Sequence, residues 1–104
     1  NASILDWAGK RVARKYDLTD FDDLADFFAM AEFGKLEKTK ERRSSTTFEL
    51  SGQTVEDRLD SDSKEFSLES GMIAEAVQKA TGKTTESEIN ILPKEKKVEI
   101  TARF

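Results

Sequence analysis

With 104 residues, 37% apolar and 37% charged, and a formal net charge of −4, the chain can close one small core, so it reads as a single domain over residues 1–104. It contains no Cys and no His. That excludes disulfides, thiolate metal centres, histidine-bound haem, thiol nucleophiles and a Ser-His-Asp triad, leaving carboxylate, lysine or hydroxyl chemistry to any enzyme reading.

Ile4, Leu5, Ala8, Val12 and Tyr16 share one stripe of a helix over residues 3–16, with Trp7 beside the stripe and the bases opposite. Thr19 with Asp22 supplies a cap and an acidic first turn for a second helix over 20–32. Its apolar stripe is Phe21, Leu24, Ala25, Phe28 and Ala31, and Gly34 stands where a left-handed stop is expected. Phe27 and Met30 project well away from that stripe. A helix that is apolar on two sides must bury both, one on a sheet and the other on a further segment or a second copy.

The period then changes from 3.6 to 2. Residues 35–42 hold one large apolar residue, Leu36, and read as an edge strand guarded by lysines. Thr46, Phe48 and Leu50 alternate with Thr47, Glu49 and Ser51 in a half-buried strand that Gly52 ends. Val55 and Leu59 fit one short helical turn, and Phe66 with Leu68 fits an extended piece over 64–68. Met72, Ile73, Ala76, Val77 and Ala80 predict a helix over 70–81 stopped by Gly82, followed by strands over 86–92 and 97–104. Two hairpins separated by a helix predict an α+β fold: an antiparallel sheet of four strands, or five if 64–68 pairs, packed on one side by three helices.

Charge runs in blocks: +3 over residues 1–16, −6 over 17–33, +3 over 34–45, −6 over 46–75 and +2 thereafter. Alternating blocks suit elements that attract one another, whereas a nucleic-acid binder needs a dominant basic footprint, so no nucleic acid is expected as a partner. Asp20, Asp22, Asp23 and Asp26 belong to a helix start. Asp60-Ser61-Asp62-Ser63 fails as a calcium loop, because Lys64, Glu65 and Gly71 fall where a ligand, the turn glycine and the closing acid belong. No metal and no cofactor is expected. No apolar run approaches the roughly 20 residues of a membrane span and no signal peptide is visible, so the expected location is cytoplasmic.

Trp7-Ala8-Gly9-Lys10 with Ala13-Arg14-Lys15, then Glu32-Phe33-Gly34, Phe48-Glu49-Leu50, Arg58-Leu59 and the run from Phe66 to Glu75 resemble, in order and spacing, the YslB-like family of uncharacterised bacterial proteins. The resemblance covers nearly the whole chain. It implies membership of the superfamily of 4-vinyl-reductase-type domains, TRAPP subunits of Golgi tethering and nitric-oxide-sensing haem domains. Their shared fold is an antiparallel sheet with helices packed on it, and members bind small apolar molecules or form homodimers through their helices. It also implies a further helical segment ahead of Trp7. The acyl-accepting cysteine of TRAPP-type subunits has no counterpart, since that neighbourhood reads Lys64-Glu65-Phe66.

Together these readings predict a non-enzymatic binding or interaction module that homodimerises through its N-terminal helices and holds a small hydrophobic ligand. Trp7, Phe27, Phe28, Phe33, Met72 and Ile73 are the candidate lining, Arg11 or Arg14 the anchor for a carboxylate, and Phe27, Met30 and Trp7 the candidate dimer contacts. The alternative is an enzyme or enzyme subunit using carboxylate or lysine chemistry without metal or haem.

Overall fold

The computed structural model describes residues 2–15, 20–60 and 65–104. In chain order these form α1 (Ala2–Lys15), α2 (Phe21–Met30), β1 (Lys35–Glu41), β2 (Ser45–Ser51), α3 (Gln53–Asp60), α4 (Ser67–Thr81), β3 (Glu86–Leu92) and β4 (Lys97–Arg103). The class is α+β, as the change of period indicates. Tyr16, Thr19 and residues 61–64 of the sequence reading lie outside the described residues.

All strand pairs are antiparallel and the order is β1-β2-β4-β3. Each hairpin therefore contributes its second strand to the centre, and lysine-rich β1 takes an edge, as its single apolar residue predicts. Alternation sorts the residues into two faces. On one, Leu36, Leu50, Val98 and Ile91 stand in register across the sheet, followed by Phe48, Ile100 and Ile89. On the other, Glu37, Glu49 and Glu99 stand opposite one another on β1, β2 and β4. Like charges in register repel. Lys97 offsets this, with Nζ donating to Glu49 Oε1 at 2.8 Å, a bond that holds the lysine above its ordinary pKa range.

α4 covers the apolar face and is itself covered. Every residue from Glu69 to Val77 is buried, because the sheet lies on one side of the helix and α1 packs along another. The helices therefore form more than one layer: α1 rests on α4, α2 packs on β1, and α3 closes against β2 and β4. All four share one core with the apolar face of the sheet, and α3 is a helix beyond the three expected. Gly9 makes the α1–α4 contact possible, since a Cβ there would stand 2.0 Å from the Leu68 carbonyl oxygen and 3.0 Å from Met72 N. Gly71, on α4 itself, is buried as well.

Local signals decided most boundaries. Asp20 caps α2, its Oδ1 accepting from the Asp22 N–H at 3.3 Å. Gly82 ends α4 in the left-handed region at φ 73°, its N–H donating to the Gln78 carbonyl at 2.8 Å. After α2 the left-handed residue is Glu32, at φ 60°. Gly34, at φ 132°, instead lets the chain pass Ser51, whose carbonyl oxygen a Cβ would meet at 2.7 Å.

Two short segments differ from expectation. Val55 and Leu59 belong to a two-turn helix, α3, with both side chains in the core. Phe66 and Leu68 form no strand: Phe66 is the cap residue of α4 and Leu68 lies in its first turn. Two apolar residues spaced by two are too few to define a period.

Replacing Gly9 by Ala is expected to cost about 3 kcal/mol in urea unfolding, the upper end for an overpacked contact, because the new methyl meets helix backbone. Gly82→Ala, with open space around it but a positive φ, should cost about 1 kcal/mol. A Gly9→Ala loss no larger than that of Gly82→Ala would show that α1 does not lie this close to α4.

Candidate functional site

Two arginines fasten the helices to one another. Arg14, in the last turn of α1, reaches the buried Glu75 of α4 at 3.2 Å. Arg58 of α3 donates through Nη1 to Glu69 Oε2 at 2.5 Å, through Nη2 to the Glu65 carbonyl, and lies over the Phe66 ring at 4.0 Å. Glu69 is 2% exposed, and its Oε1 has no hydrogen-bond partner among the described residues. The sequence reading did not single out either buried glutamate. Their signal is a charged residue at each end of a small and apolar run, Ser70-Gly71-Met72-Ile73-Ala74.

The candidate residues of the sequence reading fall into separate places. Phe28, Met72 and Ile73 are wholly buried in the core. Phe33 packs edge-on against both Phe28 and Phe27, with ring centres 5.4 and 6.3 Å apart, so the second face of α2 is partly covered from within the chain. Met30 remains 73% exposed. On α1, Ile4 and Trp7 are one turn apart and 61% and 58% exposed, with the Arg11 guanidinium 4.9 Å above the indole. α1 and α2 make no backbone contact with each other among the described residues. The N-terminal helices thus offer Trp7 and Met30 from different supports rather than from one shared stripe.

A recess of about 300 Å³ opens elsewhere, between α2, the β1–β2 hairpin and the C-terminal half of α4. Phe21, Leu24, Phe48, Val77 and Phe104 form its apolar wall, with Phe21 stacked on Phe48 at 6.0 Å. Lys38 lies at its edge, 5.2 Å from the Phe21 ring, and donates to Glu41 at 2.7 Å. Arg42 completes the edge. From the sequence these residues belong only to the apolar faces of their separate elements, since a recess depends on how three elements meet and not on any one of them.

Among the described residues no three Asp or Glu side chains are placed to hold a metal ion, and no helix is long and apolar enough to cross a membrane.

The fold and these surfaces define a small α+β domain organised around a buried helix. Residues 1–103 match the family described as a protein of unknown function, DUF2507, and the chain belongs to that family. It is also similar to the uncharacterized protein YslB of Bacillus subtilis (strain 168), with 32% identity over 104 residues, an alignment that spans 99% of this chain and 70% of that protein. The resemblance carried by Trp7–Lys15 and Phe66–Glu75 therefore leads to a real family.

Arg58→Met should destabilise the domain by about 3 kcal/mol, because it leaves Glu69 buried without its counter-charge. Adding Glu69→Leu should return most of that loss, and a double variant as unstable as the single one would show that the pair is not what matters at this position.

Glu65 provides a pH test. The Ser67 hydroxyl and backbone N–H hold its carboxyl below the ordinary value of 4.5, the N–H donating to Oε1 at 2.8 Å. A carboxylate with a lowered folded pKa stabilises above its unfolded value and loses that contribution as pH falls through the folded one. Wild type should therefore unfold at a higher temperature than Glu65→Gln near neutral pH, and the gap should close as pH drops below 4.5. A gap unchanged in acid would show that the bond from Ser67 to the Glu65 carboxylate does not stabilise the start of α4.

Proposed function

We propose that the domain is a non-enzymatic, cytoplasmic interaction module that pairs with a second copy through its N-terminal helices and holds a small apolar ligand. The exposed indole of Trp7, with Ile4 one turn before it, carries this reading. A large aromatic left half in water on a helix whose inner side is already engaged is the residue type that anchors interfaces. Burying the exposed part of Trp7 is worth about 3 kcal/mol per copy. Two copies of Trp7 and Ile4 together are of the same order as the cost of association, so the surrounding face of α1 must supply the surplus that sets the affinity. A two-fold arrangement would use the same patch on both copies.

The implied kinship with 4-vinyl-reductase-type and TRAPP-subunit domains points the same way, since those proteins pair through helices or hold apolar molecules. The recess beside Phe21 and Phe48 is the space that such a molecule would use. The non-enzymatic part is supported by the two buried glutamates of α4, each of which faces an arginine.

Trp7 is the sole tryptophan, so its fluorescence reports on its own burial. Emission should shift to the blue as protein is concentrated through the micromolar range, in step with a doubling of mass in light scattering. Trp7→Glu should stay monomeric with unchanged circular dichroism. A wild-type chain that remains monomeric into the millimolar range would overturn the pairing.

A further inference from the structure

We infer that the recess between α2, the β1–β2 hairpin and α4 is a binding site for an amphiphilic carboxylate, with the tail on its phenylalanine wall and the head group on Arg42. This rests on the apolar-ligand part of the reading above and adds the chemistry of the head.

The shape fixes the tail. Small-molecule sites begin at about 300 Å³, and the recess has about that volume, so it suits a medium-length chain rather than a long lipid. Phe21, Phe48 and Phe104 supply flat apolar surface from three different segments. On the α4 side the lining residues are Ala76, Val77, Ala80 and Thr81, all short, and larger side chains there would fill the space. Ala80 is exposed, so it stands at the mouth rather than in the floor.

The charges fix the head. Three ionisable side chains line the recess: Lys38, Glu41 and Arg42. Lys38 and Glu41 neutralise one another through their 2.7 Å bond. Arg42 forms no ion pair and no side-chain hydrogen bond among the described residues, which leaves one uncompensated positive charge on the lining. A guanidinium offers two parallel N–H donors that match a carboxylate. Lys83 adds to the sign of the field, with Nζ 5.8 Å from the Phe104 ring on the same wall. A cationic head would meet repulsion here, and a neutral alcohol would gain only a single hydrogen bond from Arg42, without the opposite charge or the bidentate match. The basic stretch Lys35–Arg43, read from the sequence as edge-strand protection, thus ends at the rim of an apolar site.

The test compares three probes with the same ten-carbon tail, each kept below its micelle-forming concentration: decanoate, decanol and decyltrimethylammonium. Titration calorimetry of the wild-type chain should give decanoate at least tenfold tighter than decanol, with decyltrimethylammonium weakest. Amide shifts in nuclear magnetic resonance should cluster on β1, β2 and the second half of α4. Arg42→Ala should lower decanoate to the affinity of decanol, and Ala80→Phe should abolish binding of both while circular dichroism stays unchanged. Equal affinity for decanoate and decanol, or a preference that survives Arg42→Ala, would overturn the carboxylate assignment while leaving the apolar-ligand reading in place. Binding of neither probe would overturn both.

Discussion

The close passage of α1 over α4 is the constraint on which the rest of the molecule depends. A helix laid on a sheet buries one face, but α4 is buried continuously from Glu69 to Val77 because α1 covers what the sheet does not. That coverage requires helix backbones to approach where Gly9 meets the Leu68 carbonyl, and no other residue type leaves room for it. From it follow the small residues of α4, the ion pairs that tie α1 and α3 to it, and the outward turn of Trp7. Once the inner side of α1 is committed to α4, the indole stands outside the core, with the Arg11 guanidinium over its ring.

Burying the central helix brings two carboxylates inside. Glu69 and Glu75 are each met by an arginine from a neighbouring helix, Arg58 and Arg14. Buried ion pairs add little net stability, because desolvation cancels most of the attraction, yet they are costly to break on one side only. Their consequence here is registration: α1 and α3 can slide along α4 only by uncovering a charge. The Arg14–Glu75 pair joins two blocks of opposite sign, with the basic first helix held against an acidic segment far along the chain.

The two surfaces left for function lie apart. Trp7 and Ile4 stand on the layer added outside α4, whereas the recess with Phe21, Phe48 and Arg42 lies where α2 and the first hairpin meet the other end of α4. The proposed pairing of copies and the proposed occupation of the recess therefore draw on different side chains. Any coupling between them has α4 as its shared element, since that helix contacts α1 and lines the recess with Ala76 and Val77.

Local chemistry settled much of the architecture in advance. The alternation in Thr46–Leu50 and Val98–Phe104, the lysines of β1 and the glycine at 82 are short-range signals, and each predicted its strand face, edge or stop. The exposure of Trp7 and Met30 was likewise legible, because neither residue fits the apolar stripe of its helix. Tertiary structure alone decided the layering of α1 on α4, the joining of Phe66 to that helix, and the burial of Glu69 and Glu75 against distant arginines. It also decided that Phe27 finds cover from Phe33 and that a recess opens beside Arg42 instead of among Phe28, Met72 and Ile73. A period tells which side of an element is apolar, but two apolar sides can be matched in more than one way. Close approach at a single glycine selected the match in this chain.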